Sequence, residues 1–219
     1  MKFNNFLDIM DILLGKDGCP WDREQTHESL RQYLLEECYE TIEAIDSGNT
    51  ADLQEELGDV LLQVVFHAKL AQKAGTFTID DVIAGVSHKL TSRHTHVFGE
   101  DIAKSAEDVV QVWETNKQKE HNLSPTQAME SVPKALPALL RASKVLKRGA
   151  QKELAIDELF KEINDSVTGL KQAQGGHFAI MGKLLLQLAS LSNTLGVNAE
   201  FSLTGAIDEY INHPDIRNR

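Results

Sequence analysis

Cysteine, proline and aromatic residues are scarce in this sequence of 219 residues. The two cysteines, Cys19 and Cys38, are too few for a disulfide framework, and they do not make a zinc site. With only 5 prolines and 14 glycines, long segments are free to form uninterrupted helices. Cys38 lies in an apolar stripe of helical spacing, so we expect a reduced thiol in the core.

Excess positive charge and long apolar runs are also absent. The formal net charge is -11, so most of the surface would repel duplex nucleic acid and anionic membranes. No stretch has the apolar length of a membrane span, and the N-terminus has no signal-peptide pattern. We therefore expect a cytoplasmic protein that binds neither nucleic acid nor membranes. A phosphate-bearing ligand must be held locally, by a metal ion or by a few Lys and Arg side chains.

Helix-favouring residues with apolar side chains at helical spacing fill most of the chain, which predicts an all-α fold. Gly, Pro and capping residues mark where the helices begin and end. In the first half the pattern predicts helices over Phe3–Leu14, over Glu28–Asp46, from Asn49 as N-cap to about Ala74, from about Ile79 to before His94, and over Ala106–His121.

The second half of the chain repeats the pattern of the first. ELGDVLLQVVFHAKL, starting at Glu56, recurs 124 residues later as IMGKLLLQLASLSNT, starting at Ile180. Such a repeat indicates a tandem duplication. We predict a first domain over residues 1–121, a linker over 122–137 that contains three prolines and a short helical piece, and a degenerate copy over 138–219.

The second copy keeps the apolar positions of the first and loses its charged ones. The replacements are Ile180 for Glu56 and Lys183 for Asp59, while Glu162 and Asp165 correspond to Glu37 and Glu40 after a slip of one residue. A helical core is therefore retained in the second copy, whereas its acidic site has decayed.

Four acidic residues occupy matching positions on the second and third helices. Glu40 and Glu56 both lie eight residues from Gly48 at the hairpin turn, and Glu37 and Asp59 both lie eleven residues from it. Antiparallel helices with equal rise would bring all four carboxylates to similar heights, roughly 12 to 17 Å from the turn. Each pair is spaced by three residues and shares a helix face beside the apolar stripe.

Clustered carboxylates repel each other, and their repulsion grows beside low-dielectric surface unless a proton or a cation is bound. The alternative is a solvated acidic face, but that does not explain the symmetry of the four positions. All-oxygen ligands suit Mg²⁺ or Mn²⁺ better than zinc. A di-iron bundle would need Glu-x-x-His pairs, which neither of the two acidic helices contains.

These residues belong to a longer resemblance. The chain resembles the MazG family of nucleoside triphosphate pyrophosphohydrolases in CPWDREQTHESLRQYLLEECYETIEAID, LQEELGDVLLQVVFHA and KLTSRHTHVFGE. The EExxE and ExxD signatures of that family appear as Glu36-Glu37-Cys38-Tyr39-Glu40 and Glu56-Leu57-Gly58-Asp59. The match is dense from Phe6 to Lys119 and weak beyond.

The resemblance implies an all-α fold that dimerises, dependence on Mg²⁺, and cleavage of nucleoside triphosphates between the α- and β-phosphates. It implies that the metal ligands are Glu37, Glu40, Glu56 and Asp59. It also implies that Lys89 and Arg93 hold the triphosphate and that Trp113 lies near the base. A solvated helical face and a core or dimer contact are the respective alternatives for these last residues. A carboxylate of the cluster, or Glu36, could act as general base.

Three alternatives to this function remain open at the level of sequence. The chain could be a narrow-specificity dUTP or dCTP pyrophosphatase, a phosphoribosyl-ATP pyrophosphohydrolase, or an inactive helical module that only binds cations. In two-copy members of the family the second copy can be the more active one, but here the first copy keeps the ligands. Apolar residues around the third helix and in the second copy also predict a homodimer. They are Leu62, Val65, Phe66, Leu184, Leu185, Leu186 and Leu188.

Overall fold

The chain is α-helical in every regular element of the part described by a computed structural model, which covers residues 3–121, 123–149 and 155–213. No strand occurs in these ranges, so the all-α prediction is confirmed. In chain order the helices are α1 (Phe3–Leu14), α2 (Pro20–Glu24), α3 (His27–Ser47), α4 (Thr50–Lys73), α5 (Ile79–Arg93), α6 (Thr95–Phe98), α7 (Ala106–His121), α8 (Pro125–Glu130), α9 (Ala138–Gly149), α10 (Ile156–Gln172), α11 (His177–Thr194) and α12 (Ala199–Asn212).

Two compact units divide the chain, one up to Lys117 and the other from Gln118 onwards. The segment interpreted from sequence as a linker contains α8, which packs against α9 within the second unit. Arg148 fixes this contact, since its Nη1 donates hydrogen bonds to Ala128 O and to Ser131 Oγ. Residue 122, at the predicted domain boundary, lies outside the described residues.

A tight turn joins α3 to α4 in the first unit. Gly48 ends α3 with φ of 69°, a left-handed conformation that costs glycine little. Asn49 then caps α4, because its side-chain oxygen accepts hydrogen bonds from the backbone N–H groups of Ala51 and Asp52. Both ends of this turn were predicted from sequence. At its other end α3 starts from Thr26, whose side chain forms a capping box with Ser29.

The core of the first unit lies where α4 meets α1, α3 and α5. Its fully buried members include Met10, Leu30 and Val65, and Phe66 and Ile79 complete the cluster with little exposure. The C-terminal half of α4, which contains every buried residue of this helix, is therefore the centre of this unit. This arrangement leaves the start of α4 and the facing end of α3 to hold the acidic residues outside the core.

The apolar stripes assigned from sequence are partly wrong. Cys38 was expected in the core, but it is exposed. On α4, Val65 and Phe66 were expected to form apolar surface for a dimer contact but are buried in the core, whereas Leu57 and Val64 are exposed. The reason is that α3 and α4 carry apolar residues on more than one face, and the other helices of the unit cover only the face centred on Val65 and Phe66. Periodicity alone does not distinguish the covered face from the uncovered one.

One buried charge connects α1 to α4. Lys69 is only 9% exposed, and its Nζ lies 2.6 Å from Asp11 Oδ1 and donates a hydrogen bond of 2.7 Å to Asp11 Oδ2. A buried ammonium group without such a partner pays a desolvation cost.

We predict that Asp11→Asn lowers the free energy of unfolding by about 1–2 kcal/mol, because Lys69 loses its anionic partner while water at exposed Asp11 compensates part of the loss. Urea unfolding would measure the change. Asp8→Asn is the matched control on the same helix, since Asp8 is exposed, and should leave stability unchanged. Equal effects of the two variants would contradict a stabilising role for the ion pair.

The second unit repeats the helical hairpin of the first. Helices α10 and α11 pack side by side, as α3 and α4 do, and α12 follows α11 as α5 follows α4. The buried centre of the second unit includes Leu159, Ser166, Gln187 and Ala189. Two of these buried residues are polar, and they satisfy each other, since Ser166 Oγ donates a hydrogen bond of 2.7 Å to Gln187 Oε1.

Within the described ranges, no single helix has the length and apolarity needed to cross a membrane. Taken together, α11 and α12 pass that test on length and composition alone, but they meet at a bend of 105°.

Candidate functional site

The α3–α4 hairpin brings three predicted metal ligands together. Carboxylate oxygens of Glu37, Glu56 and Asp59 all lie within 4.8 Å of one another. All three side chains are partly buried. Glu37 and Asp59, which both lie eleven residues from Gly48, therefore meet across the two antiparallel helices as the residue count predicts, and Glu56 joins them from a position three residues nearer the turn.

Mutual repulsion shows in the proton affinity of Glu37. Burial raises the pKa of Glu37 above its ordinary value, and the negative charges of Asp59, Glu40 and Glu56 raise it further. A hydrogen bond shared with Glu40 also favours the protonated form of Glu37. Glu40 is thus a neighbour of the cluster, although it is exposed and lies outside the set of three oxygens that meet within 4.8 Å.

Glu56 is perturbed in the same direction. Its pKa is raised first by burial and then by the charges of Glu40, Asp59, Glu55 and Asp52. No cation among the described residues contributes to the shift of either pKa. The site is therefore an uncompensated group of carboxylates, whose charge a proton or a metal ion would relieve.

The donor set fits a hard divalent cation. It offers only carboxylate oxygens, which Mg²⁺ and Mn²⁺ prefer, and no thiolate or imidazole belongs to the cluster. Three ligands leave coordination positions for water and for phosphate oxygens, as in magnesium sites that act on nucleotides. Mg²⁺ itself is distinguished from other hard cations only by binding measurements.

We predict that the affinity for Mg²⁺ falls as the pH drops from neutral to mildly acidic values. Because the pKa values of Glu37 and Glu56 are raised, these groups take up protons at higher pH than ordinary glutamates, and a cation must displace those protons. The sign for the metal-free fold is opposite, since carboxyls with raised pKa stabilise it as the pH falls through that range.

Calorimetric titration with Mg²⁺ at neutral pH and at mildly acidic pH would measure how the affinity depends on pH. Glu37→Gln is expected to bind Mg²⁺ more weakly at both values, with a flatter pH dependence, and to unfold at a higher temperature without metal. A wild-type affinity independent of pH would contradict the electrostatic account of the site.

One candidate general base and one predicted phosphate ligand lie on the surface. Glu36 precedes Glu37 on α3 and is exposed, and Lys89 on α5 is exposed as well. Exposure leaves both side chains free to reach a ligand, and it is equally typical of a solvated helix face. Neither residue belongs to the three-carboxylate cluster.

Arg93 and Trp113 lie together. Arg93 is 7% exposed at the end of α5, and its guanidinium carbon lies 5.2 Å from the centroid of the Trp113 ring on α7. His94 packs edge-to-face against the same indole, with 4.9 Å between its ring centroid and that of Trp113. Asn116 of the same helix donates a hydrogen bond of 2.8 Å to Thr95 Oγ1.

This second cluster gives Trp113 a structural partner that the sequence did not predict. A cation over an indole face is attracted by the ring quadrupole and loses part of its freedom to reorient. His94 Nδ1 also lies 2.7 Å from Leu90 O, which favours packing over metal binding for this histidine. Trp113 therefore connects α7 to the end of α5, where Arg93 is held.

Gln63 is a candidate residue that the sequence-based site did not include. It follows Asp59 by one helical turn on α4, is only 6% exposed, and its Oε1 is buried without a hydrogen-bond partner among the described residues. The signal for it was present in the repeat, because Gln63 matches Gln187. Gln187 Nε2 donates a hydrogen bond of 3.2 Å to Glu162, the counterpart of Glu37.

The fold and the site define a class, namely all-α proteins whose paired acidic helices offer oxygen ligands to a divalent cation. The model of the MazG nucleotide pyrophosphohydrolase domain matches residues 25–98, which include all four predicted ligands. The chain belongs to this MazG family, whose members are hydrolases of phosphoanhydride bonds.

Full-length similarity supports this assignment. "Nucleoside triphosphate pyrophosphohydrolase/pyrophosphatase MazG" of Thermotoga maritima is 38% identical over 214 residues, which cover 95% of this chain and 82% of that protein. "Nucleoside triphosphate pyrophosphohydrolase" of Escherichia coli K12 is 37% identical over 221 residues, or 95% of this chain and 84% of its own length.

"Uncharacterized protein YabN" of Bacillus subtilis is 51% identical over 146 residues. The matched part covers 67% of this chain but only 30% of YabN.

Proposed function

We propose that this chain hydrolyses nucleoside triphosphates to nucleoside monophosphates and pyrophosphate, with Mg²⁺ bound at the α3–α4 hairpin. The meeting of Glu37, Glu56 and Asp59 oxygens within 4.8 Å is the observation that carries the proposal. The names of the relatives from Thermotoga maritima and Escherichia coli support the reaction. The intact cluster in the first unit supports placing catalysis there.

In this proposal Glu37, Glu40, Glu56 and Asp59 hold the cation between the two helices. Bound Mg²⁺ would neutralise phosphate charge and lower the pKa of an attacking water molecule. Glu40 is the fourth ligand of the cation in this proposal. It lies beside Glu37, whose pKa it raises. Glu36, or a carboxylate of the cluster, accepts the proton of the water.

Lys89 and Arg93 supply the positive charge for the leaving pyrophosphate. They are spaced by four residues on α5, so both side chains share one face of that helix. Trp113 holds the guanidinium of Arg93 by the cation–π contact described above, and it offers an aromatic ring near the base. The cytoplasm, where nucleoside triphosphates are abundant, is the proposed site of action.

The proposed active form is a homodimer. An exposed apolar row on α4 consists of Leu57, Leu61 and Val64, whose exposed fractions are 53%, 42% and 38%. A second exposed row lies on α5, at Val82, Ile83, Val86 and Leu90. Two apolar rows on adjacent helices need cover, and two-fold pairing of identical surfaces provides it.

A substrate panel tests the reaction. Pyrophosphate release would be measured over all canonical NTPs and dNTPs with Mg²⁺, with Mn²⁺ and without a divalent cation. We expect release from several nucleotides with either cation. Release from a single pyrimidine deoxynucleotide would identify a narrow-specificity enzyme, and cation binding without any release would contradict the proposed function.

A further inference from the structure

An open cavity of about 350 Å³ lies in the second unit, between α10 and α11. Its lining consists of Asp165, Ser166, Gly169, Ala179, Ile180 and Lys183. The volume is at the small end of the range of ligand pockets, which is roughly 300 to 1,000 Å³. The cavity belongs entirely to the degenerate copy and is separate from the carboxylate cluster of the first unit.

The cavity occupies the place that the acidic site has in the first unit. By the register of the repeat, Asp165 stands where α3 has Glu40, Ile180 where α4 has Glu56, and Lys183 where α4 has Asp59. The duplicated hairpin therefore has a cavity where the first unit has its acidic cluster, and different residues line it. Exchange of Asp59 for Lys183 converts a position that binds cations into one that attracts anions.

Ser166, one of the lining residues, belongs to a polar network between α10 and α11. Ser166 and Gln187, which are 5% and 6% exposed, hydrogen-bond to each other, and Gln187 Nε2 also donates to Glu162 Oε2. Glu162 is thus compensated by an amide, whereas Glu37 in the first unit is surrounded by other carboxylates. Satisfied buried networks are rigid, so Ser166 is held in place before any ligand arrives.

Opposite charges stand on opposite walls of the cavity. Lys183 on α11 and Asp165 on α10 are both exposed, and within the described part of the chain they are not joined by an ion pair. Ile180 and Ala179 provide an apolar surface between them. A fitting ligand carries an anionic group for Lys183, hydroxyl or amino donors for Asp165, and a flat apolar part.

We propose that the second unit binds a nucleoside monophosphate without a metal ion. Lys183 contacts the phosphate, Asp165 accepts hydrogen bonds from ribose hydroxyl or base amino groups, and the base lies against Ile180. The volume suits a monophosphate better than a triphosphate with its hydrated cation. The choice of a nucleotide among molecules of this chemistry rests on the proposed function, of which a monophosphate would be the product.

Calorimetric titration of the full chain with AMP, GMP, CMP and UMP in EDTA tests the proposal. We expect saturable binding of at least one of them and a loss of about tenfold or more in affinity in Lys183→Ala, because a charge-assisted contact to phosphate is removed. Gly169→Leu should abolish binding by filling the cavity, since a Cβ at Gly169 would meet no other atom within 4 Å. Lys171→Ala is the control, since it removes an exposed lysine of α10 that does not line the cavity, and it should bind as the wild type does.

Several results would overturn the proposal. The wild type could fail to bind any monophosphate in EDTA, or Lys183→Ala could bind as tightly as the control. The nucleoside or inorganic phosphate could bind as tightly as the monophosphate. Loss of binding in Glu56→Gln, a variant of the first unit, would also contradict the proposed site. Thermal unfolding would show whether Gly169→Leu is folded. If it is not folded, the affinity of Lys183→Ala alone tests the proposal. Pyrophosphate release should be unchanged in both variants, so failure of this site and failure of the proposed reaction give different results.

Discussion

Asp59→Asn is expected to reduce pyrophosphate release by more than about a hundredfold, the upper end of what loss of an outer-shell partner costs a metal site. The substitution removes one of three carboxylates whose oxygens meet within 4.8 Å and retains nearly the same shape. The fold should survive, because removing a charge from a repelling cluster relieves strain. Glu40→Gln should likewise abolish turnover if Glu40 completes the ligand set.

Matched changes in the second unit provide the control. Glu162→Gln and Asp165→Asn alter the residues that correspond to Glu37 and Glu40, but Lys183 and Ile180 leave that copy without a complete acidic site. Their pyrophosphate release is expected to equal that of the wild type. Near-native activity of Asp59→Asn, or a large loss in the second-unit variants, would contradict the assignment of catalysis to the α3–α4 hairpin.

Leu61→Glu is expected to convert the dimer to monomers. Leu61 is 42% exposed in the middle of the apolar row on α4, so the proposed pairing would bury the new carboxylate. An unpaired buried charge costs several kcal/mol, enough to weaken the dimer by more than about a hundredfold. Light scattering at micromolar concentration would measure the mass of the wild type and of the variant.

Ile12→Glu is the control for this experiment. Ile12 is 71% exposed and lies on α1, which carries neither of the two rows, and the same charge there should leave the mass unchanged. A wild type that is monomeric at full activity would contradict the dimer, and so would an unchanged mass in Leu61→Glu.

The hairpin was predictable because its signals are local. Gly48 and Asn49 fix the turn through their own backbone and side-chain preferences, and the positions of Glu37 and Asp59 then follow from counting residues along two helices. The side chains meet as that count requires. Local chemistry and helix geometry are sufficient here, since no contact distant in sequence is needed.

What depends on long-range packing was less predictable. Cys38 was expected in the core and is exposed, because the sequence does not reveal which of several apolar faces other helices cover. The cation–π contact of Arg93 with Trp113 connects α5 to α7, two helices that are not consecutive in the chain. No periodic pattern in the sequence indicates this contact. Gln63 could have been found, since its match to Gln187 places a buried amide next to the acidic residues in both copies.

Product analysis as a function of cation tests the central claim most directly. A nucleoside triphosphate would be incubated with the wild type and with Asp59→Asn, with Mg²⁺ and with EDTA, and the phosphorus products would be resolved by NMR. The account predicts equimolar nucleoside monophosphate and pyrophosphate from the wild type with Mg²⁺, and neither product in the other three samples. Release of inorganic phosphate and a nucleoside diphosphate, turnover in EDTA, or full activity of Asp59→Asn would contradict it.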